Sequence, residues 1–555
     1  DVPVFDDIDN DGDTDILSFS VNGSYVVYYR NKSADNGYGA DSLIYVSGDI
    51  CWGKFYESSF SEEIVLSNDP NVCATGFLDD PNVENRHAGS TLATIDMNND
   101  GDKELFLGDI IYPKITYLEN GGSVNSAWMI QQDITFPSED VSVNIPEFPA
   151  PYFLDMDNDG LTDFVSAPNN VNSSLNYNVV WFYKNVNTNE NPVFEFQQDD
   201  LIVEEMVDYG RGSSPTVLDY NADGLTDILI GTDGFFVPGG NRDPRLVLFR
   251  NVGTETEPAF ELVDDDFLEF SQYSEFSWNY APTVGDLDGD GDFDLIVGEQ
   301  EGRLFYVENL AGAGNQMLFG NPVPEWLGID VGQNSTPFII DLNRDGLLDM
   351  VLGDRNGHLN FYPNIGTATE PEFHVEETET PNNPFLGEVD TELPSIPITG
   401  NSSPWIIDLG DDFVIITGSE VGPIQVFSNI EGNLELGQSF TKLEERFGEI
   451  REGERSRPAL ADLNNDGFFE AIVGNLRGGL AIYGTDVDAT GVIFSTNEVS
   501  LSQSFDLFPN PTKDEVTLEF SEPIRENLRF QLFNTLGQEV HAGVLSAQRN
   551  EINIG

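Results

Sequence analysis

The chain has 555 residues, with 24 Lys and Arg against 98 Asp and Glu, and a formal net charge of −74. Such a surface repels phosphate backbones and anionic lipid, which excludes nucleic acid and the membrane surface as partners. No apolar run long enough to span a bilayer occurs, and the two cysteines, Cys51 and Cys73, form no CxxC for redox chemistry or a zinc site.

In chain order, the predicted elements repeat. An apolar strand enters a nine-residue acidic loop and a second apolar strand leaves it, beginning with the loop Asp7-Ile8-Asp9-Asn10-Asp11-Gly12-Asp13-Thr14-Asp15. Further copies start at Asp96, Asp155, Asp219, Asp286, Asp341 and Asp462. All seven have Asp, Asp or Asn, and Asp at positions 1, 3 and 5, Gly at 6, and Asp or Glu at 9. Oxygen ligands at alternating positions, with glycine where the chain turns sharply, suit a hard cation such as Ca²⁺.

The candidate ligands are Asp7, Asp9, Asp11, Asp13 and Asp15 in the first loop, and Asp96, Asn98, Asp100, Asp102 and Glu104 in the second. The third offers Asp155, Asp157, Asp159, Leu161 and Asp163, the fourth Asp219, Asn221, Asp223, Leu225 and Asp227. The fifth offers Asp286, Asp288, Asp290, Asp292 and Asp294, the richest ladder and the expected best site. Asp341, Asn343, Asp345, Leu347 and Asp349 form the sixth, and Asp462, Asn464, Asp466, Phe468 and Glu470 the last. Position 7 is variously Asp, Leu or Phe, so its shared contribution is the backbone carbonyl. An EF-hand would need a bidentate Glu at position 12 and flanking helices. Position 12 is Ser18, Leu107, Ser166, Ile230, Val297, Leu352 or Val473, and runs such as Leu295-Ile296-Val297-Gly298 read as buried strand.

After each loop an aromatic strand often ends in Asn, as in Trp181-Phe182-Tyr183-Lys184-Asn185 and Leu248-Phe249-Arg250-Asn251. Following Asn185, Asn251 and Asn364, a Pro lies seven residues on and a Phe nine, which predicts a fourth strand. Ser/Thr-x-Pro or a near variant opens many first strands, as at Pro215, Pro282, Pro337, Pro404 and Pro458. From Asp341 to Asp462 is 121 residues, about twice the usual period. That gap holds a decayed copy, Ser403 to Asp408 followed by Phe413 to Gly418, whose loop is too short to wrap an ion. Eight units of about 60 residues result, seven of them metal-binding, and four antiparallel strands at this period predict β-propeller blades.

These loops and strands resemble the FG-GAP/VCBS repeats of integrin α-like propellers across residues 1–484. The resemblance implies an all-β propeller whose acidic loops join the first two strands of each blade. Eight blades are expected, with seven as the alternative. A linker at 485–503 leads to residues 504–555, where Phe508-Pro509-Asn510-Pro511, Phe533-Asn534 and Leu536-Gly537-Gln538 resemble the C-terminal type A sorting domain of Bacteroidetes type IX secretion cargo. That likeness implies a small Ig-like β-sandwich, export through the periplasm to the cell surface, and the type IX translocon with its outer-membrane attachment machinery as partner. Members continue past Asn553 into a Gly-x-Tyr strand, so this copy is expected to be incomplete at its end. The opening Asp1-Val2-Pro3, without Met or leader, fits a processed protein.

Cys51 and Cys73, 22 residues apart, suit a loop-stapling disulfide outside the cytoplasm, the alternative being two buried free thiols. No nucleophile elbow, Walker loop or zinc-protease helix occurs, and His87, His358, His374 and His541 are scattered. Segments entering the first strands carry Arg86, His87, Arg211, Trp278, Asn279, Tyr280, Asn334, Arg455 and Arg457. Gathered at one channel mouth, they could hold an acidic sugar or a peptide carboxylate. The competing expectation is that these arginines pair with acids to hold the blades together. The reading is therefore a surface-displayed, calcium-binding adhesion or interaction module for a glycan or protein ligand. A polysaccharide lyase and an accessory subunit of an outer-membrane complex are the alternatives.

Overall fold

The computed structural model describes residues 2–488 apart from 21–22, 39–41, 59–60, 76–89, 171–172, 205, 240, 376–379 and 393–398. Beyond 488 it describes the backbone of 505–508, 515–520, 528–533, 539–545 and 549–553. Contacts divide the chain into Asp1–Thr485 and Asp486–Gly555. The last strand of the first unit, Leu480–Asp488, runs past the expected boundary at 484.

Eight antiparallel sheets follow the eight predicted units in order. Their first strands are Val4–Asp6, Ser90–Ile95, Pro149–Leu154, Arg211–Leu218, Ala281–Gly285, Thr336–Ile340, Ser403–Asp408 and Arg457–Ala461, and we number the sheets 1 to 8 accordingly. Each acidic loop joins a first strand to a second, and the second strands are almost wholly buried, as in Asp294–Gly298 and Asp349–Gly353. Branched apolar side chains on both faces of these strands fill the layers between neighbouring sheets. Leu229, Leu295, Val297 and Phe305 fill the layer of sheets 4 and 5, and Leu342, Val351, Ile415 and Phe427 that of sheets 6 and 7.

Four strands were expected in every unit, but sheets 5, 6 and 8 have three. In sheets 5 and 6 the reason is proline, which removes a ladder donor; in sheet 8 the chain just after Asp488 lies outside the described residues. In sheet 5 the fourth strand shrinks to a bridge between Tyr306 and Val323, which Pro322 and Pro324 flank; in sheet 6 it shrinks to Phe361 and Asn383, before Pro384.

Neighbour relations differ from the expected single ring of eight or seven. First strands of sheets 4, 5, 6, 7 and 8 follow one another, and sheet 8 then returns to sheet 4, closing a circuit of five. Gly212 N donates to Leu476 O at 2.9 Å, Ser213 N to Asn475 O at 2.9 Å, and Ser213 Oγ to Gly479 O at 2.7 Å. Ile228, Ile230 and Val247 of sheet 4 share a core with Ala459, Ala461 and Ile472 of sheet 8. Sheets 1, 2 and 3 form a row, with Val2 bridged to Thr91 and Thr91 Oγ1 donating to Pro149 O at 2.7 Å.

One glycine per junction sets these contacts. Four residues after loop position 9, a Cβ at Gly298 would stand 2.2 Å from Ser335 O, and one at Gly474 would stand 2.3 Å from Ser213 O. Neither glycine has positive φ, so the requirement is space for a neighbouring carbonyl. Sheets 1 and 3 carry Phe19 and Ala167 at that position.

In the second unit, Phe505–Phe508, Glu515–Phe520 and Arg549–Asn553 form one antiparallel sheet, and Leu528–Phe533 pairs with Glu539–Leu545 in another. The motif residues Pro509-Asn510-Pro511 and Leu536-Gly537-Gln538 lie outside the described residues.

Candidate metal centres

All seven loops fold alike. The Gly at position 6 has φ between 85° and 93° in every copy, a left-handed conformation glycine adopts without penalty. Its N–H donates to the position-1 carboxylate, from Gly12 to Asp7 at 3.0 Å through Gly467 to Asp462 at 3.0 Å. The position-7 N–H donates to the position-5 carboxylate, as Leu347 to Asp345 at 2.9 Å and Phe468 to Asp466 at 2.9 Å. These bonds consume the outward donors of the turn and leave carboxylate oxygens facing one another.

Position 9 does more than the spacing predicts. Its carboxylate accepts the N–H of position 2, as Asp294 from Leu287 at 3.3 Å and Asp349 from Leu342 at 3.1 Å. The other oxygen accepts the N–H of the Asn that ends or closely follows the third strand: Asn31 to Asp15 at 2.7 Å, Asn185 to Asp163 at 2.8 Å, Asn309 to Asp294 at 2.9 Å. The Asn side chain then caps the following turn, with Asn309 Oδ1 accepting from Ala311 N and Leu318 N. Strand-terminal Asn was visible in sequence, but its tie to position 9 was not.

Carboxylate oxygens of Asp7, Asp9 and Asp15 lie within 4.8 Å of one another, as do those of Asp155, Asp157 and Asp163 and those of Asp286, Asp288 and Asp290. Burial pushes four position-9 carboxyls up, to about 6 at Asp15 and Asp294 and to about 7 at Glu104 and Asp349. Six buried oxygens in the loops, on Asp9, Asp13, Asp96, Glu104, Asp286 and Asp292, have no hydrogen-bond partner among the described residues. An unpaired buried acceptor carries a desolvation penalty, and a cation would relieve it. The donor set, all hard oxygen, fits Ca²⁺.

The decayed loop is held differently. Arg344, at position 4 of the sixth loop, donates from Nη2 and Nη1 to Asp408 at 2.7 and 3.1 Å, and from Nε to Glu431 at 2.7 Å. Its guanidinium also lies 4.2 Å from the Phe413 ring centroid.

Residues 155–230 match the FG-GAP-like repeat, 278–315 the FG-GAP repeat, and 506–555 the secretion system C-terminal sorting domain. The chain carries FG-GAP repeats and a type IX sorting domain. It is thus a secreted or cell-surface protein, and no described helix is long and apolar enough to cross a membrane. No curated protein matches the chain significantly. Among solved structures, an Agrocybe aegerita lectin described for specific recognition of non-reducing terminal N-acetylglucosamine is similar at 18% identity, covering 80% of this chain and 94% of that one with a TM-score of 0.26. BBS1N in complex with ARL6DN, soaked with lead, is similar at 13% identity over 71% of this chain and 91% of that one, TM-score 0.20.

Within the FG-GAP repeats, the residues expected at a channel mouth build a buried girdle instead. Arg457 Nη2 donates to Asn279 Oδ1 at 2.7 Å, Asn279 Nδ2 to Asn334 Oδ1 at 3.0 Å, Asn334 Nδ2 to Asn401 Oδ1, and Asn401 Nδ2 to Glu420. Arg455 Nε reaches the same Glu420 at 3.1 Å, and Arg211 Nε pairs with Asp233 at 3.1 Å. Asn279, Asn334, Asn401 and Arg455 each stand three residues before a sheet's axial proline with φ of 45–59°. Arg457 is buried, which pushes its guanidinium down to about 10. Tyr280 is fully buried, its hydroxyl shared between Phe270 O and Ser277 O. Neither offers a surface to a ligand, Trp278 is half-buried, and Arg86 and His87 lie outside the described residues. Beneath the girdle, Pro215, Pro282, Pro337, Pro404 and Pro458 line a cavity of about 20 Å³, room for about one water. Cys51 and Cys73 are disulfide-bonded.

Proposed function

We propose that the FG-GAP units form a calcium-stabilised binding module, which the sorting domain delivers to the cell surface for adhesion to a glycan or protein. The observation that carries this reading is the set of orphaned carboxylate oxygens in loops of one repeated geometry. Oxygens of positions 1, 3, 5 and 9 and the position-7 carbonyl would hold each ion, seven in all. Bound Ca²⁺ would neutralise carboxylates whose mutual repulsion opposes the turn. Extracellular sites of this kind bind at roughly 10⁻⁴–10⁻³ M, so occupancy couples to folding. A polar cleft of about 420 Å³, lined by Asp330, Asp354, Asn356, His358 and Asn360, supports a recognition role.

Excess chelator is expected to lower the melting temperature sharply, and calcium to restore it; an unchanged melting curve refutes the calcium role. Deleting 504–555 is expected to leave a folded, calcium-responsive protein in the periplasm. Normal surface levels of that truncation would refute the delivery role. A glycan array probed with and without calcium then identifies the ligand.

A further inference from the structure

The loops differ in one place that the repeat pattern conceals. The residue just before the strand-terminal Asn is Arg30 in sheet 1, Glu119 in sheet 2, Lys184 in sheet 3, Arg250 in sheet 4, Glu308 in sheet 5 and Pro363 in sheet 6. Because the following Asn N–H is bonded to position 9, this residue departs from a fixed point beside the loop.

In sheet 3, Lys184 Nζ bridges Asp157 and Asp159, the position-3 and position-5 carboxylates, the latter at 2.9 Å. In sheet 1, Arg30 reaches Asp9 at 2.6 Å and Asp11 at 3.1 Å. Arg250 instead turns to Glu261 at 3.5 Å. In sheet 7, where the ladder has decayed, Arg344 from the preceding loop grips Asp408.

Orphaned oxygens separate the third loop, but not the first, from the second and fifth, and the fourth, sixth and seventh loops have none among the described residues. Among the described residues, the third loop has none, the first keeps Asp9 Oδ1 and Asp13 Oδ1, and the second and fifth keep Asp96 Oδ1 and Glu104 Oε1, and Asp286 Oδ1 and Asp292 Oδ1. Glu104 is 0% exposed, so its carboxylate is shielded from water.

We propose that side-chain cations grade the calcium sites into two classes. Lys184 and Arg30 act as tethered counter-ions that hold their loops closed without metal and compete with it. The second and fifth loops, with Glu119 and Glu308 at the equivalent place, depend on the ion. Sheet 7 is the limiting case, in which Arg344 has replaced the ion. This inference rests on the calcium reading above.

Hydrogen exchange of the full chain, read loop by loop across a calcium titration, tests it. Peptides spanning 96–104 and 286–294 are expected to gain protection at lower calcium than 7–15 and 155–163, with 408–412 unresponsive. Lys184→Gln removes one positive charge from beside Asp157 and Asp159, which lowers the calcium midpoint of 155–163 roughly ten- to thirty-fold, leaves 286–294 unchanged, and weakens 155–163 in chelator. Glu308→Gln raises the midpoint of 286–294. Arg344→Gln exposes 408–412 at every calcium level. A single midpoint for all loops, or a Lys184→Gln midpoint equal to wild type, overturns the grading while leaving calcium binding intact. No response in any loop overturns the calcium reading and the grading together.

Discussion

Gly474→Ala probes the closure of the five-sheet circuit. The new Cβ would lie 2.3 Å from Ser213 O, well inside contact distance, and the obstacle is backbone that no rotamer change can move aside. The chain has two responses. It can absorb the overlap, which for added core atoms costs about 1–3 kcal/mol. Alternatively the junction opens and surrenders the bonds from Gly212 N, Ser213 N and Ser213 Oγ, each worth roughly 0.5–1.5 kcal/mol net. The smaller cost governs, so a loss of about 1–3 kcal/mol is expected. Because φ at Gly474 is not positive, alanine suffers no backbone strain, and its stiffer unfolded chain returns roughly 0.4–1 kcal/mol. Urea unfolding gives the global change, and hydrogen exchange over 207–214 and 472–479 localises it. Gly298→Ala, at a junction between consecutive sheets, is the reference and should cost the same. If Gly474→Ala is neutral while Gly298→Ala destabilises, sheets 8 and 4 do not meet and the circuit is wrong.

Asn309→Ala leaves the Ala311 and Leu318 N–H groups and the Phe293 carbonyl unpaired beside a residue that is 1% exposed, so a loss of about 2–4 kcal/mol in urea unfolding is expected. A neutral result would remove strand-terminal Asn from the list of structural ties. Asp208 is raised to about 6 by burial, so the folded state binds the extra proton between the unfolded pKa of 3.8 and about 6, and stability falls as pH rises through that window. Asp208→Asn should therefore be the more stable protein at pH 7, by roughly 1–2 kcal/mol after allowance for its partial exposure, and equal to wild type near pH 3.5. A difference that persists unchanged at low pH would show that ionisation is not the cause. Reducing the Cys51–Cys73 bond frees a loop of 22 residues, for which chain entropy gives about 3 kcal/mol. Differential scanning with and without reductant measures it, and coincident curves would discount the staple.

Much of the loop geometry was legible because it is local. Position 6 must be Gly when φ is near 90°, and the oxygens must alternate for the turn to gather them, so nine residues state their own conformation. Second strands were legible for a similar reason, since burial on both faces demands an unbroken apolar run. Ring size was not, because it depends on which faces meet across hundreds of residues. Its trace lay in single positions: Gly474 admits the Ser213 carbonyl, whereas Ala167, at the corresponding place in sheet 3, has no such vacancy to offer. Fourth strands failed where Pro322, Pro324 and Pro384 stripped donors from a segment of otherwise suitable length. The arginines near the axis were expected together, and Arg457, Arg455 and Arg211 do concentrate there. Whether they face solvent or the interior turned on Asn279, Asn334 and Asn401, whose left-handed backbones bend the side chains into one another.

Closure through Ser213 and Asn475 has a consequence for how such a chain can change in length. In a ring sealed by its two ends, every added unit widens the circle and disturbs each junction at once. Here the seam joins two interior points, so units can accumulate ahead of sheet 4 as a side-row while the five-membered ring keeps its diameter and its nearly filled axis. Growth and curvature become independent variables, with the seam between sheets 8 and 4 fixing the one and the row ahead of it free to take the other.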